Sequence, residues 1–65
     1  PIAGYATLSE GLLSLEGRVG SADGQTLLVA QVTGPTAEAE QLGQQLAQNL
    51  LDQGAGELLQ ALYQS

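Results

Sequence analysis

The sequence predicts an α+β domain: a three-stranded antiparallel meander sheet with a long helix and a short helix packed on one of its faces. Three observations carry this. From Pro35 to Gln53 the apolar residues keep a helical period without interruption. The segments before it alternate with a period of two and are separated by turn-forming clusters. The connections between those segments are short, which makes consecutive strands antiparallel, and a one-faced helix then needs an apolar sheet face to cover it.

In chain order, Gly4 to Leu8 sets Tyr5 and Thr7 against Ala6 and Leu8 and runs into the turn-like Ser9, Glu10 and Gly11, so it is read as the first strand. Leu12 to Val19 places Leu13, Leu15, Gly17 and Val19 on one face and Leu12, Ser14, Glu16 and Arg18 on the other. The cluster Gly20, Ser21, Ala22, Asp23 and Gly24 breaks it, and the Asp23-Gly24 pair favours a hairpin. The returning strand, Gln25 to Thr33, has Leu28, Ala30 and Val32 on one side and Leu27, Val29, Gln31 and Thr33 on the other. Both faces are partly apolar, and Leu12, Leu27 and Val29 are predicted to project away from the helices.

The long helix stacks Ala39, Leu42, Gly43, Leu46, Ala47, Leu50 and Leu51 on one face, with Glu38, Gln41, Gln45, Gln48 and Asp52 opposite. Pro35 suits a first helical position, Glu38 and Glu40 oppose the positive end of the dipole, and Gly54 suits a left-handed C-terminal cap. Leu46 and Leu50 are predicted to face Leu13, Leu15 and Leu28. After a loop of Gly54, Ala55 and Gly56, Glu57 to Tyr63 spaces Leu58, Leu59 and Leu62 as a second helix, too short to persist unless docked on the same core.

Sixty-five residues make a single domain, 1–65, whose only aromatics are Tyr5 and Tyr63. The core is therefore built of leucine, valine and alanine, and stability is expected to be marginal. Seven acidic residues against the single Arg18 give a formal net charge of -6, which repels nucleic-acid phosphates and anionic membranes. No apolar run is long enough to span a bilayer, and no signal peptide is evident. Residue 1 is proline, so a processed product or a piece of a longer chain is expected.

Chemistry-bearing residues are few. With no cysteine, histidine or lysine, nucleophilic catalysis lacks a thiol and its usual bases, and metal binding lacks its commonest ligands. Ser9 with Glu10 and Ser21 with Asp23 are the nearest approaches to a nucleophile and base, and turn chemistry explains both better. Glu38 with Glu40 reads as helix-start electrostatics. Gly17, Gly20 and Gly24 lack the lysine and the strand-to-helix setting of a phosphate loop. No catalytic or metal residue is assigned.

The opening Pro1-Ile2-Ala3-Gly4-Tyr5-Ala6, the hairpin Val19-Gly20-Ser21-Ala22-Asp23-Gly24, and Gly34-Pro35 followed by Ala39-Glu40-Gln41-Leu42-Gly43 resemble the C-terminal domain of hydroxymethylbilane synthase, also called porphobilinogen deaminase. Leu46-Ala47, Leu50-Leu51, Gly54-Ala55 and Glu57-Leu58-Leu59 continue the resemblance in order. The third strand departs from it: where the family often has arginine and glutamate, this chain has Val29, Gln31, Val32 and Thr33.

The resemblance implies a three-domain transferase of tetrapyrrole synthesis, cytoplasmic or plastid, that joins porphobilinogen units onto a dipyrromethane cofactor with loss of ammonia. It implies that the cofactor is held by a cysteine on a loop just before Pro1, in a pattern like Gly-Gly-Cys, two residues, then Ile. It also implies that the catalytic aspartate and the substrate-binding arginines belong to two earlier domains, which are then this domain's partners. Arg18 is not given that role, and the isolated piece is expected to be inactive and able to self-associate. The alternatives are a free-standing acidic interaction module without catalysis, and a small carrier protein, which would be helical and would need an attachment serine that is not apparent here.

Overall fold

The computed structural model describes the backbone of residues 2–64 and the side chains of residues 2–60. Three strands, β1 (Ile2–Ser9), β2 (Leu12–Gly20) and β3 (Leu27–Pro35), form one sheet in the order β1-β2-β3 with both pairings antiparallel. A 3-10 turn at Thr36–Glu38 leads into α1 (Ala39–Asp52), and α2 (Ala55–Gln64) follows. The predicted α+β meander with a long and a short helix is therefore the observed architecture.

The hairpin between β1 and β2 is a two-residue turn in which Glu10 and Gly11 both have positive φ, 52° and 78°. That left-handed pair matches the right-handed twist of the strands, and the glycine relieves half of its steric cost. The tight turn fixes the register: Ile2 pairs with Val19, Gly4 with Gly17 and Leu8 with Leu13, and across the next pairing Gly17 meets Ala30 and Leu13 meets Gly34. Paired residues share a face. The helix side of the sheet thus carries the rows Ile2-Val19-Leu28, Gly4-Gly17-Ala30, Ala6-Leu15-Val32 and Leu8-Leu13-Gly34.

Helix α1 packs on β3 and β2, and the small residues of those rows decide how. A Cβ on Gly34 would lie 2.9 Å from Leu42 Cδ2, and one on Gly17 would lie 2.9 Å from Leu50 Cδ1 and 3.4 Å from Leu46 Cδ2. The three leucines therefore seat in depressions that only glycine leaves open. Leu46 and Leu50 stand over Gly17, with the half-buried Leu13, Leu15 and Leu28 on the same sheet face. Val19, Ala30, Leu42 and Ala55 are the buried apolar residues among those described. Leu12, Leu27 and Val29 are exposed, as expected for the opposite face.

Several boundaries differ from the sequence reading. Pro35 does not begin a helix. It closes β3 opposite Leu12, extended at φ -62° and ψ 142°, because the next residue is tied to the first hairpin: Thr36 donates both its N–H, 2.9 Å, and its Oγ1–H, 2.8 Å, to the carbonyl of Gly11. β1 runs beyond Gly4–Leu8 at both ends, since β2 offers it a partner along its whole length. β3 starts at Leu27 and not at Gln25, because side chains in the preceding loop hold the amides of Gln25 and Thr26. The apolar stripe of α1 is narrower than predicted: Ala39, Ala47 and Leu51 are exposed.

Gly54, at φ +104°, makes the break between the helices by itself, and its carbonyl accepts from the amides of Glu57 and Leu58. Ala55 is thereby the first residue of α2 and is 3% exposed, not part of a loop. Leu58 and Leu59 are half-buried, while the predicted docking of Leu62 and the aromatic ring of Tyr63 fall outside the described side chains.

The seating of leucines over glycines has a signed consequence. Gly34→Ala should destabilise the fold by about 1 to 3 kcal/mol through overpacking against the buried Leu42, whereas Gly4→Ala, with nothing within 4 Å of the added Cβ, should be neutral or stabilise by about 0.4 to 1 kcal/mol through the unfolded chain. Leu42→Ala should cost about 2 to 5 kcal/mol, and Gln45→Ala on the solvated face no more than about 0.5 kcal/mol. Chemical denaturation of the four variants measures all of this, and equal effects at Gly34 and Gly4 would contradict the packing.

Candidate functional site

The outer face of the sheet gathers the polar chemistry of the strands. The register sets Tyr5 opposite Glu16 and Gln31, Thr7 opposite Ser14 and Thr33, and Ala3 opposite Arg18 and Val29. Arg18, the chain's one cation, donates from Nε to Glu16 Oε2 at 2.8 Å, and its guanidinium lies 5.5 Å from the centroid of the Tyr5 ring. Its side chain is 47% exposed, so the ion pair contributes modestly, and the Tyr5 ring adds a cation–π contact. The sequence reading leaves these partners unassigned, because it takes Ser9, Glu10 and Gly11 together as the turn, and only the observed pairing of Ser9 with Leu12 brings Tyr5 opposite Glu16. Ser14 Oγ and Thr33 Oγ1 lie 2.9 Å apart and satisfy each other.

The second hairpin is held by its own side chains. Ser21 Oγ donates to Asp23 Oδ1, and the same carboxylate oxygen accepts the amide of Gln25 at 3.0 Å. The amide of Thr26 donates to Ser21 Oγ at 3.0 Å, and the amide of Ser21 donates to the carbonyl of Thr26 at 2.9 Å. Gly24, at φ +75°, completes the turn with its amide on the carbonyl of Ser21. The Ser21 hydroxyl, followed by the Gln25 amide, holds the Asp23 carboxyl below its ordinary pKa. A carboxylate stabilised in this way is a weaker base, so the Ser21-Asp23 pair is a loop clasp and no nucleophile-base dyad.

The remaining sequence candidates stay apart. Ser9 ends β1 and Glu10 occupies the left-handed turn. Glu38 closes the 3-10 turn and Glu40 lies in the first turn of α1, both exposed. Among the described residues no group of three or more His, Cys, Asp or Glu could hold a metal ion. The geometry brings together a packed sheet and two self-satisfied polar clusters, and among the described residues, apart from the Ser21-Asp23 clasp, it sets no nucleophile beside a base.

Because the folded-state pKa of Asp23 is lowered, its ionised form stabilises the fold in full above the ordinary aspartate range, and that contribution is lost as pH falls below this range through the lowered value. Melting temperatures of the wild type and of Asp23→Asn should therefore converge on acidification through that window, with the wild type ahead at neutral pH. Parallel curves at all pH values would show that the clasp does not couple to folding.

A family model described as "Porphobilinogen deaminase, C-terminal domain" matches residues 1–52. The match takes in the whole sheet, the 3-10 turn and α1, and ends at the last residue of α1, before α2. The elements it spans are those that position every feature described above. Matched over 52 of its 65 residues, this chain belongs to the porphobilinogen deaminase family of transferases, and it corresponds to that family's C-terminal domain.

Proposed function

We propose that this chain is the cofactor-anchoring C-terminal domain of a hydroxymethylbilane synthase, which polymerises porphobilinogen into hydroxymethylbilane. The observation that carries the reading is the family match across the sheet and the long helix. The family implies a dipyrromethane cofactor in the parent enzyme, but the residues present do not fit its attachment: these 65 residues include no cysteine, and the single arginine is engaged with Glu16 and Tyr5. In this reading the domain's contribution is mechanical. β1 is paired with β2 from Ile2 to Ser9, so a loop entering at residue 1 is attached directly to a hydrogen-bonded sheet, and a thioether on that loop is fixed to a rigid body.

The partners are then the other two domains of the parent enzyme, which supply the acid-base groups and the arginines. An acidic chain with one cation suits neither a nucleic acid nor an anionic membrane surface, and no described helix is long and apolar enough to cross a membrane. A cytoplasmic or plastid location accords with tetrapyrrole synthesis. In isolation the piece has the exposed Leu12, Leu27 and Val29 on one sheet face and a free outer edge on β1, and self-association through them follows. Sedimentation at high concentration should show species larger than the monomer, and a strict monomer would count against it.

The anchor reading is tested at the codons before Pro1. A cysteine within about five residues is expected, since an extended chain of roughly 3.3 Å per residue keeps that span close to the first strand. Mass spectrometry of the full-length enzyme should find the cofactor mass on that cysteine. The purified 65-residue chain should leave porphobilinogen unconsumed. Absence of the cysteine would remove the anchoring role, and turnover by the isolated chain would make it a complete enzyme.

A further inference from the structure

Asp23 and Gly24 form the one Asp-Gly step in the chain, and it sits on the exposed loop between β2 and β3. An aspartate followed by glycine is open to an internal reaction. The backbone nitrogen of residue 24 attacks Cγ of Asp23 in its protonated form, the new N–Cγ bond replaces the bond from Cγ to the hydroxyl oxygen, and that hydroxyl departs as water with the amide proton. Water then opens the resulting succinimide at either carbonyl and returns aspartate or isoaspartate. The sum is an isomerisation, with no oxidant or co-reactant beyond water. Glycine favours it because no Cβ shields the attacking nitrogen.

We propose that Asp23-Gly24 is a site of isoaspartate formation whose rate in the folded protein is set by the Ser21 hydroxyl. Three contacts oppose the ring closure. The amide hydrogen of Gly24 is engaged by the carbonyl of Ser21 at 3.1 Å, so freeing the nitrogen costs a hydrogen bond. Asp23 Oδ1 is held by Ser21 Oγ and by the Gln25 amide, and turning Cγ toward the nitrogen breaks both. The same two donors keep the carboxylate ionised, and an ionised carboxylate is a poor acceptor with a poor leaving group. Ser21 ties these together, since its hydroxyl also accepts the amide of Thr26. It is a positioning residue for a reaction the fold suppresses. Once formed, isoaspartate lengthens the main chain by one carbon inside the loop that joins Gly20 to Leu27, the last pair of the β2-β3 register.

The intact protein is incubated at neutral pH, and isoaspartate in the peptide containing residues 20–26 is followed by mapping and by isoaspartyl methyltransferase labelling. Four samples are compared: folded wild type, wild type in denaturing urea, Ser21→Ala and Ser21→Thr. The folded wild type should react more slowly than the same chain in urea, and Ser21→Ala should be about three- to ten-fold faster than wild type, the range that losing one hydrogen bond allows. Ser21→Thr, which keeps the hydroxyl, should stay near the wild-type rate. Equal rates for folded and urea-treated wild type would overturn the proposal, and so would a folded Ser21→Ala protein reacting at the wild-type rate. Should Ser21→Ala not fold, the urea comparison and Ser21→Thr decide the matter.

Discussion

The seating of Leu42 over Gly34 and of Leu46 and Leu50 over Gly17 is the contact on which the rest of the molecule depends. A chain without phenylalanine, tryptophan or methionine cannot fill a gap between a helix and a sheet with bulk, so it closes the gap by bringing the layers together. Glycine at the two contact points of the sheet removes the Cβ that would hold the helix off, and each leucine then gains dispersion contacts with backbone as well as with neighbouring side chains. The arrangement fixes the height of α1 above the sheet and its position along it. α2 is placed in turn, since Gly54 turns the chain directly out of α1 and Ala55 buries beside it.

The two ends of the helix-sheet unit are held by polar contacts. At its entry Thr36 binds the carbonyl of Gly11 twice, which joins the start of the helical segment to the first hairpin. Near its exit Gln53 Nε2 donates to the carbonyl of Val29 at 3.0 Å, which also occupies a main-chain acceptor of β3. Both contacts join elements far apart in the sequence, so the ends of the helical segment are tied to the sheet of this porphobilinogen deaminase C-terminal domain.

The coverage of the sheet is uneven. α1 lies on β2 and β3, and every residue of β1 is exposed, including Ile2 and Leu8, which share the helix side with Val19 and Leu13. β1 carries no acidic or basic side chain between Ile2 and Ser9. Its order therefore rests on main-chain pairing with β2 and on the geometry of the two-residue turn, more than on burial.

The residues by themselves determined the class, the order of the three strands and two α-helices, the sidedness of β2 and β3, the hairpin at Asp23-Gly24 and the stop at Gly54, because each of these follows from local periodicity or from a glycine's freedom at positive φ. The scarcity of chemistry-bearing side chains is a property of the composition alone, since the chain has no cysteine, histidine or lysine. Tertiary structure decided the rest. Pro35, sound as a first helical residue on local grounds, stays in the sheet because Leu12 and Gly11 lie beside it. Gln25 and Thr26 leave the strand because Ser21 and Asp23 offer their amides closer partners. Ala47 and Leu51 share the helical period of Leu46 and Leu50 yet remain exposed, because α1 sits over β2 and β3 and these two residues border an open apolar groove toward Ile2 on the uncovered β1. In each case the deciding partner lies outside the residue's own helical turn or strand, and a local pattern holds no information about which partner the fold brings near.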